Sequence, residues 1–121
     1  MKEKEFRPWG WFKVLQRGDN YCVKELFVEP DMRISLQFHR YRTEDWVVVN
    51  GDGVITQGNL ETNCKVGDTF FIPIEQRHRI MGGKTGMTMI EVQRGKCVED
   101  DIVRLEDDYN RVEHHTWGHY V

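Results

Sequence analysis

Residues 34–51, ISLQFHRYRTEDWVVVNG, decide the fold that we predict for this chain. Apolar and polar residues alternate in the first part of the stretch, which is the period of a strand with one buried face. Gln37 and His39 therefore point to the same side of that strand. After a polar bend at residues 40–43, the apolar run at residues 44–50 predicts a second strand.

The rest of the chain follows the same pattern of short strands separated by turns. The predicted strands cover residues 11–16, 21–29, 33–39, 44–50, 54–57, 69–72, 78–81 and 87–93. Glycine-rich turns at residues 51–53 and 82–84 divide them, and a short helical turn is possible at residues 105–109. Because no amphipathic helix of normal length is visible, this spacing predicts an all-β sandwich or barrel.

The composition narrows the class of protein. A chain of 121 residues predicts one domain. A net charge of −3 argues against a nucleic-acid or anionic-membrane partner. The three cysteines, Cys22, Cys64 and Cys97, are widely spaced and predict reduced thiols. The N-terminus has no apolar signal segment, so we expect a soluble cytoplasmic protein.

The same stretch carries three potential metal ligands, Gln37, His39 and Glu44. Of the five histidines in the chain, three lie in the last eight residues, which leaves His39 and His78 in the body. A barrel that brings His78 to the cluster would offer two nitrogen and two oxygen donors. Such a set suits one divalent ion, for which zinc is our first expectation and iron, manganese, cobalt and nickel are alternatives. Both short patterns also occur in strands that bind no metal.

Six segments, in chain order, resemble one known family. They are Arg7-Pro8-Trp9-Gly10, Ser35-Leu36-Gln37-x-His39, Arg42-x-Glu44-x-Trp46-Val47-Val48-Val49-x-Gly51, Ile72-Pro73…His78-Arg79, Ile90-Glu91-Val92-Gln93 and Glu99-Asp100-Asp101-Ile102-Val103-Arg104-x-Glu106-Asp107-Asp108-Tyr109. Together they resemble the cupin domain of type II mannose-6-phosphate isomerases, the isomerase half of the bifunctional mannose-1-phosphate guanylyltransferase/mannose-6-phosphate isomerases. The chain departs from this family at Asp45, where histidine is usual.

The resemblance implies a cupin-type double-stranded β-helix, a jelly-roll barrel, as a stand-alone single domain over residues 1–121. We expect the barrel core at about residues 11–95, an N-terminal arm at residues 1–10 and a C-terminal tail at residues 99–121. The tail holds the remaining histidines, His114, His115 and His119, and we expect a loose terminus there. We also expect a homodimer.

The resemblance further implies a metal-dependent isomerase that interconverts mannose 6-phosphate and fructose 6-phosphate, by moving a proton between C1 and C2. The implied metal ligands are Gln37, His39, Glu44 and His78. The candidate phosphate-binding cations are Arg42, Arg79 and Arg104, since arginine matches the geometry of phosphate. The proton carrier is Lys24, Glu99 or a metal-bound water, and Arg104 is included among the catalytic candidates.

Two other functions remain open on the same barrel. One is a cupin that binds a sugar or a sugar nucleotide without turnover. The other is a sugar-nucleotide epimerase or ketoisomerase, which in its metal-independent form would need a His–Asp base pair and would not need Gln37.

Overall fold

Strands form the whole regular structure of the described chain. The structure is a computed structural model that describes residues 3–109, so the outer part of the predicted tail, with His114, His115 and His119, lies outside the described residues. The strands are β1 (Glu5–Arg7), β2 (Gly10–Arg17), β3 (Tyr21–Val28), β4 (Leu36–Phe38), β5 (Arg42–Gln57), β6 (Leu60–Lys65), β7 (Thr69–Ile72), β8 (His78–Gly95) and β9 (Val103–Glu106). The predicted all-β class is confirmed. In this part of the chain no helix is long and apolar enough to cross a membrane.

Two long strands, β5 and β8, organise the sheet. They pair antiparallel from Arg42 opposite Gly95 to Gln57 opposite His78, and residues 83–86 of β8 have no partner on β5. Strand β8 also pairs with β3 along its second half and with β4 at its start, while β5 pairs with β7 and then with β6. Because both long strands change outer partners midway, the sheet curls around one interior.

Several predicted boundaries are wrong, and glycine explains two of them. The expected hairpin at residues 51–53 and the expected loop at residues 82–84 lie inside β5 and β8. Gly51 pairs with Met87 and Gly53 pairs with Gly82, so residues 83–86 form a bulge in β8 and the ladder continues on both sides of it. At Gly82, an added Cβ would lie 2.5 Å from the carbonyl oxygen of Glu29, so glycine permits a close approach of two backbones there.

Two further elements were misjudged at the level of sequence. Strand β6 was not predicted, since its sequence LETNCK is mostly polar and only Cys64 is buried. The first two residues of the possible helical turn at residues 105–109 belong instead to β9, which pairs with β4. Part of the expected C-terminal tail is therefore a strand of the sheet.

The interior of the curled sheet has an apolar half and a polar half. The apolar core is lined by buried residues that include Val28, Val48, Ile55, Ile80, Met87 and Met89. Moving along β8 from Met89, the next two inward positions are Glu91 and Gln93. Strand register places Glu91 between Lys24 and Trp46, and Gln93 between Cys22 and Glu44. Two buried polar rows therefore lie directly beside the hydrophobic core.

A pair of glycines tests the role of the bulge. Gly51 has φ of 74° and a Cβ there would lie 2.0 Å from the Gly86 carbonyl oxygen, whereas Gly58 has φ of 57° and no neighbour within 4 Å. We expect Gly58→Ala to lose about 1 kcal/mol of unfolding free energy from backbone strain alone. Gly51→Ala should lose roughly 2–4 kcal/mol, because overpacking adds to the strain. Urea unfolding measures both, and equal losses would show that the close approach at Gly51 is unimportant.

Candidate metal centre

Three buried side chains from different strands converge at the polar end of the interior. His39 follows β4, Glu44 lies on β5 and His78 begins β8. One potential ligand atom from each lies within 4.8 Å of the others. The sequence predicted this grouping, and the structure brings these three residues together.

Backbone carbonyls orient both imidazole rings. The Nδ1 atom of His39 contacts the carbonyl oxygen of Asp101, and that of His78 lies 2.9 Å from the carbonyl oxygen of Gln76. Since a carbonyl only accepts, each Nδ1 carries the proton and each Nε2 keeps its lone pair. Burial lowers the pKa of His39 to about 4 and also lowers the pKa of His78. Both rings are therefore neutral at pH 7, which is the form that binds a metal.

Glu44 completes the group as a carboxylate. Its Oε1 accepts a hydrogen bond from the Trp46 indole at 2.9 Å, and its Oε2 accepts one from Arg42 Nε at 2.9 Å. Burial alone would raise the pKa of Glu44, but the positive charge of Arg42, which hydrogen bonds to its Oε2, holds that pKa well below its ordinary value. The donor set is thus two neutral nitrogens and one anionic oxygen, which fits a borderline divalent cation.

Arg42 contacts two of the atoms that would bind the metal ion, Glu44 Oε2 and His39 Nε2. Besides its bond to Glu44, its guanidinium places Nη2 3.2 Å from His39 Nε2 and donates from Nη1 to the Val98 carbonyl oxygen at 3.1 Å. The arginine balances the buried carboxylate in this structure. A divalent ion would compete with it, so metal binding requires the guanidinium to move off His39 and Glu44.

Gln37, the fourth predicted ligand, lies beside this group. It is buried and pairs with His78 in the register of β4 and β8. Its Nε2 donates to Ser35 Oγ at 3.0 Å and to the Ser35 carbonyl oxygen at 3.3 Å. Because the amide nitrogen is engaged there, the amide oxygen is the atom that Gln37 can offer to a cation.

The group opens into a cavity of about 90 Å³. Most of the predicted site residues line it together: Lys24, Gln37, His39, Arg42, Glu44, His78, Glu99 and Arg104. Arg79 is not among the lining residues. Its Nε donates to the Ile34 carbonyl oxygen at 2.9 Å, and its Nη1 lies 3.4 Å from Glu106 Oε1. The side chain of Arg79 therefore links β8 to β9.

The segment of residues 96–102 contributes Glu99 and Ile102 to the cavity wall and is hydrogen-bonded to the residues around the cavity. The Asp101 carboxylate accepts the backbone amides of Arg40 at 2.8 Å and Tyr41 at 3.0 Å. Glu99, from the same segment, forms an ion pair with the buried Lys24 ammonium. Burial opposes ionisation of Glu99, but the charge of Lys24 holds its pKa below the ordinary value. Lys24 and Glu99, the two candidate proton carriers, therefore contact each other at the cavity wall.

The lining residues that were not recognised as site residues from the sequence include Arg7, Glu91 and Gln93. Burial, followed by the charge of Glu44, raises the pKa of Glu91 to about 8. Gln93 donates from Nε2 to Glu91 Oε1 at 2.6 Å. The alternation at residues 87–93 carried the signal, since it placed both polar residues on the face of the buried methionines.

Asp45 lies on the outside of the sheet. Its side chain is 43% exposed and pairs with Arg94 at 2.8 Å. The alternation along β5 predicted that Asp45 points away from Glu44, and the structure agrees. The departure from the family pattern at this position therefore lies outside the cavity.

Comparison with known sequences identifies related proteins. A family model described as mannose-6-phosphate isomerase C-terminal matches residues 1–107. Xanthan biosynthesis protein XanB of Xanthomonas campestris pv. campestris is 39% identical over 110 residues, covering 89% of this chain and 24% of that protein. Alginate biosynthesis protein AlgA of Pseudomonas aeruginosa is 40% identical over 108 residues, covering 88% and 22%. A mannose-1-phosphate guanylyltransferase of Salmonella muenchen is 41% identical over 103 residues, covering 84% and 22%. The chain spans about a quarter of the length of these relatives.

Comparison with solved structures identifies the fold. The capsular polysaccharide assembling protein CapF of Staphylococcus aureus superposes with a TM-score of 0.77 at 21% identity, over 88% of this chain and 32% of that chain. Oxalate decarboxylase of Bacillus subtilis superposes with a TM-score of 0.78 at 16% identity, over 86% and 30%. At these identities the similarity concerns the fold alone, and it confirms the predicted cupin-type β-helix.

Metal binding by the central group can be measured directly. We expect one divalent ion per chain in equilibrium dialysis with zinc or cobalt, read by elemental analysis. His39→Ala and His78→Ala should each weaken binding by more than ~100-fold, since loss of a ligand exceeds the 10–100-fold effect of losing an outer partner. Asp45→Ala, outside the cavity, is the control and should bind as the parent does. A variant with alanine at His114, His115 and His119 should keep the ion; loss of the ion from it alone would contradict the site.

The raised pKa of Glu91 predicts a pH dependence of stability in chelator-treated protein. Between its ordinary pKa of 4.5 and about 8, the folded state keeps a proton that the unfolded state releases. Stability is therefore lost as pH rises through this window, by at most ~1.4 kcal/mol per pH unit. Glu91→Gln removes this loss, so its stability relative to the parent should increase from pH 5 to pH 8. Exposed Glu61→Gln is the control, and a difference that stays flat with pH for Glu91→Gln would contradict the assignment.

Proposed function

Because the chain belongs to the mannose-6-phosphate isomerase C-terminal family, we propose that it is a metal-dependent isomerase interconverting mannose 6-phosphate and fructose 6-phosphate. One observation carries the proposal: the potential ligand group and several basic side chains line a single cavity. A divalent ion held by Gln37, His39, Glu44 and His78 would act as a Lewis acid towards sugar oxygens.

The cations of the cavity suit the phosphate end of the substrate. Arg7 comes from β1 and Arg104 from β9, and both line the cavity. We assign phosphate binding to these two residues and to Arg42, whose guanidinium becomes available when it leaves Glu44. Arginine is suited to this role because its planar fork can bind two phosphate oxygens at once. A substrate contact of Arg79 stays a prediction, and its bonds to Ile34 and Glu106 do not favour it.

Lys24 and Glu99 suit the transfer of the proton between C1 and C2. Lys24 is buried and lines the cavity, while the Glu99 side chain is 57% exposed. Their contact links the cavity to solvent through two groups that exchange protons. Lys24 would exchange a proton with the sugar, and Glu99 would exchange it with Lys24 and with water.

The histidine partners bear on the epimerase alternative. Both described histidines use Nδ1 to bind a backbone carbonyl oxygen, and the Asp101 carboxylate binds backbone amides instead of a ring. The His–Asp base pair of a metal-independent epimerase is therefore not supported within residues 3–109. The other alternative is a cupin that binds a sugar without turnover. It is favoured by the position of Arg42, which contacts Glu44 and His39 where a metal ion would bind.

An activity assay distinguishes the isomerase from a cupin that only binds the sugar. Purified protein loaded with zinc, cobalt or manganese should convert mannose 6-phosphate to fructose 6-phosphate, and a chelator should abolish the conversion. Lys24→Met should lower kcat by about 10²–10⁴-fold, the usual contribution of a general acid–base group. Lys13→Met is the matched control, since Lys13 pairs with Glu25 at 3.4 Å away from the cavity. Metal-loaded protein that binds the sugar phosphate without converting it would exclude the isomerase and support the binding protein.

A further inference from the structure

Gln93 presents a buried hydrogen-bond acceptor without a protein partner. The residue is 1% exposed and lines the cavity. In the described part of the chain, nothing hydrogen bonds to its Oε1. We propose that Gln93 Oε1 accepts a hydrogen bond from a sugar hydroxyl and that Gln93 determines which sugar the site takes. This inference rests on the proposed function for the identity of the ligand as a hexose phosphate.

The amide of Gln93 is held in one orientation. Its Nε2 donates to Glu91 Oε1 at 2.6 Å, so the nitrogen is directed along β8 towards Glu91. The oxygen is the remaining half of the amide, and it is enclosed by the same burial. A buried acceptor without a donor is unfavourable, and such groups in native proteins are explained by a bound water, an ion or a ligand.

The neighbours of Gln93 do not supply the missing donor. Register places it between Glu44 on β5 and Cys22 on β3. Glu44 is a carboxylate and only accepts, while a thiol is a weak donor. Glu91 keeps a proton, but it donates that proton to Glu44. The cavity wall at this point is therefore rich in acceptors.

An acceptor-rich wall selects one end of the substrate. Sugar hydroxyls donate hydrogen bonds, whereas a phosphate dianion only accepts them. The free acceptor at Gln93 thus favours the hydroxyl-bearing carbons and disfavours the phosphate, which is left to the arginines. The substrate is oriented with a sugar hydroxyl beside Gln93.

A site of this kind discriminates strongly against a ligand that lacks the hydroxyl. When the hydroxyl is missing, the buried acceptor stays unpaired in the complex, and the analogue is rejected by more than the lost contact alone. Removal of the acceptor should therefore abolish the discrimination, while binding of the phosphate end persists.

The test compares ligands and variants by titration calorimetry. Mannose 6-phosphate and its monodeoxy analogues are titrated into the metal-loaded parent, Gln93→Met and the control Gln16→Met, which changes an exposed glutamine on β2. We expect one analogue to bind the parent and Gln16→Met about 10–100-fold more weakly than mannose 6-phosphate, since the buried acceptor is left unpaired in that complex. Gln93→Met should bind that analogue and mannose 6-phosphate within about twofold of each other.

The remaining outcomes are decisive as well. Unchanged discrimination by Gln93→Met, or a parent that binds every analogue equally, overturns the inference while turnover by the parent keeps the proposed function. Discrimination that depends on Gln93 without turnover keeps the inference and overturns the isomerase. A parent that binds none of the ligands overturns both.

A crystal structure of the parent with mannose 6-phosphate decides the matter if Gln93→Met fails to fold. A sugar hydroxyl oxygen within ~3.2 Å of Gln93 Oε1 supports the inference. An ordered water as the only partner of that atom overturns it.

Discussion

The bend of the β5–β8 ladder is the constraint on which the site depends. Glu44 pairs with Gln93 near one end of this ladder, and His78 pairs with Gln57 at the other end. In a flat sheet, 13 residues of β5 would separate these rungs by roughly 40 Å. In the structure, ligand atoms of Glu44 and His78 lie within 4.8 Å. The register shift at Gly51–Gly53 lies between the two rungs, where a bulge strengthens bending.

The buried charged side chains in the polar half of the interior are paired with side chains of opposite charge. Buried charges are costly unless they are paired, and here Arg42 pairs with Glu44 while Glu99 pairs with Lys24. The histidines avoid the cost by staying neutral, with backbone carbonyls holding their protonated nitrogens. Two of these partners come from residues 96–102: Glu99 pairs with Lys24, and the Asp101 carbonyl oxygen contacts His39. That segment thereby organises the cavity, although it is distant from β4 and β5 in the chain.

Sequence periodicity and composition predicted the class of fold and the central group, for identifiable reasons. The scarcity of histidine singled out His39 and His78, and strand alternation placed Gln37 with His39 and turned Asp45 outward. The alternation along β8 also places Glu91 and Gln93 on the buried face, but the sequence analysis used them only as part of a family motif. The bonds of Arg79 to Ile34 and Glu106 depend on strands distant in sequence, so no local pattern reveals them. Glycine signals misled at residues 51–53 and 82–84, because glycine permits both a turn and a close backbone approach.

The central claim is that the bent ladder assembles a metal centre from His39, Glu44 and His78. Anomalous diffraction from crystals grown with zinc tests it most directly. The account predicts a peak at about 2.0–2.2 Å from both Nε2 atoms and from a Glu44 oxygen, with Arg42 displaced from those atoms. A cavity without a peak, in which Arg42 still binds Glu44 and His39, would contradict the claim.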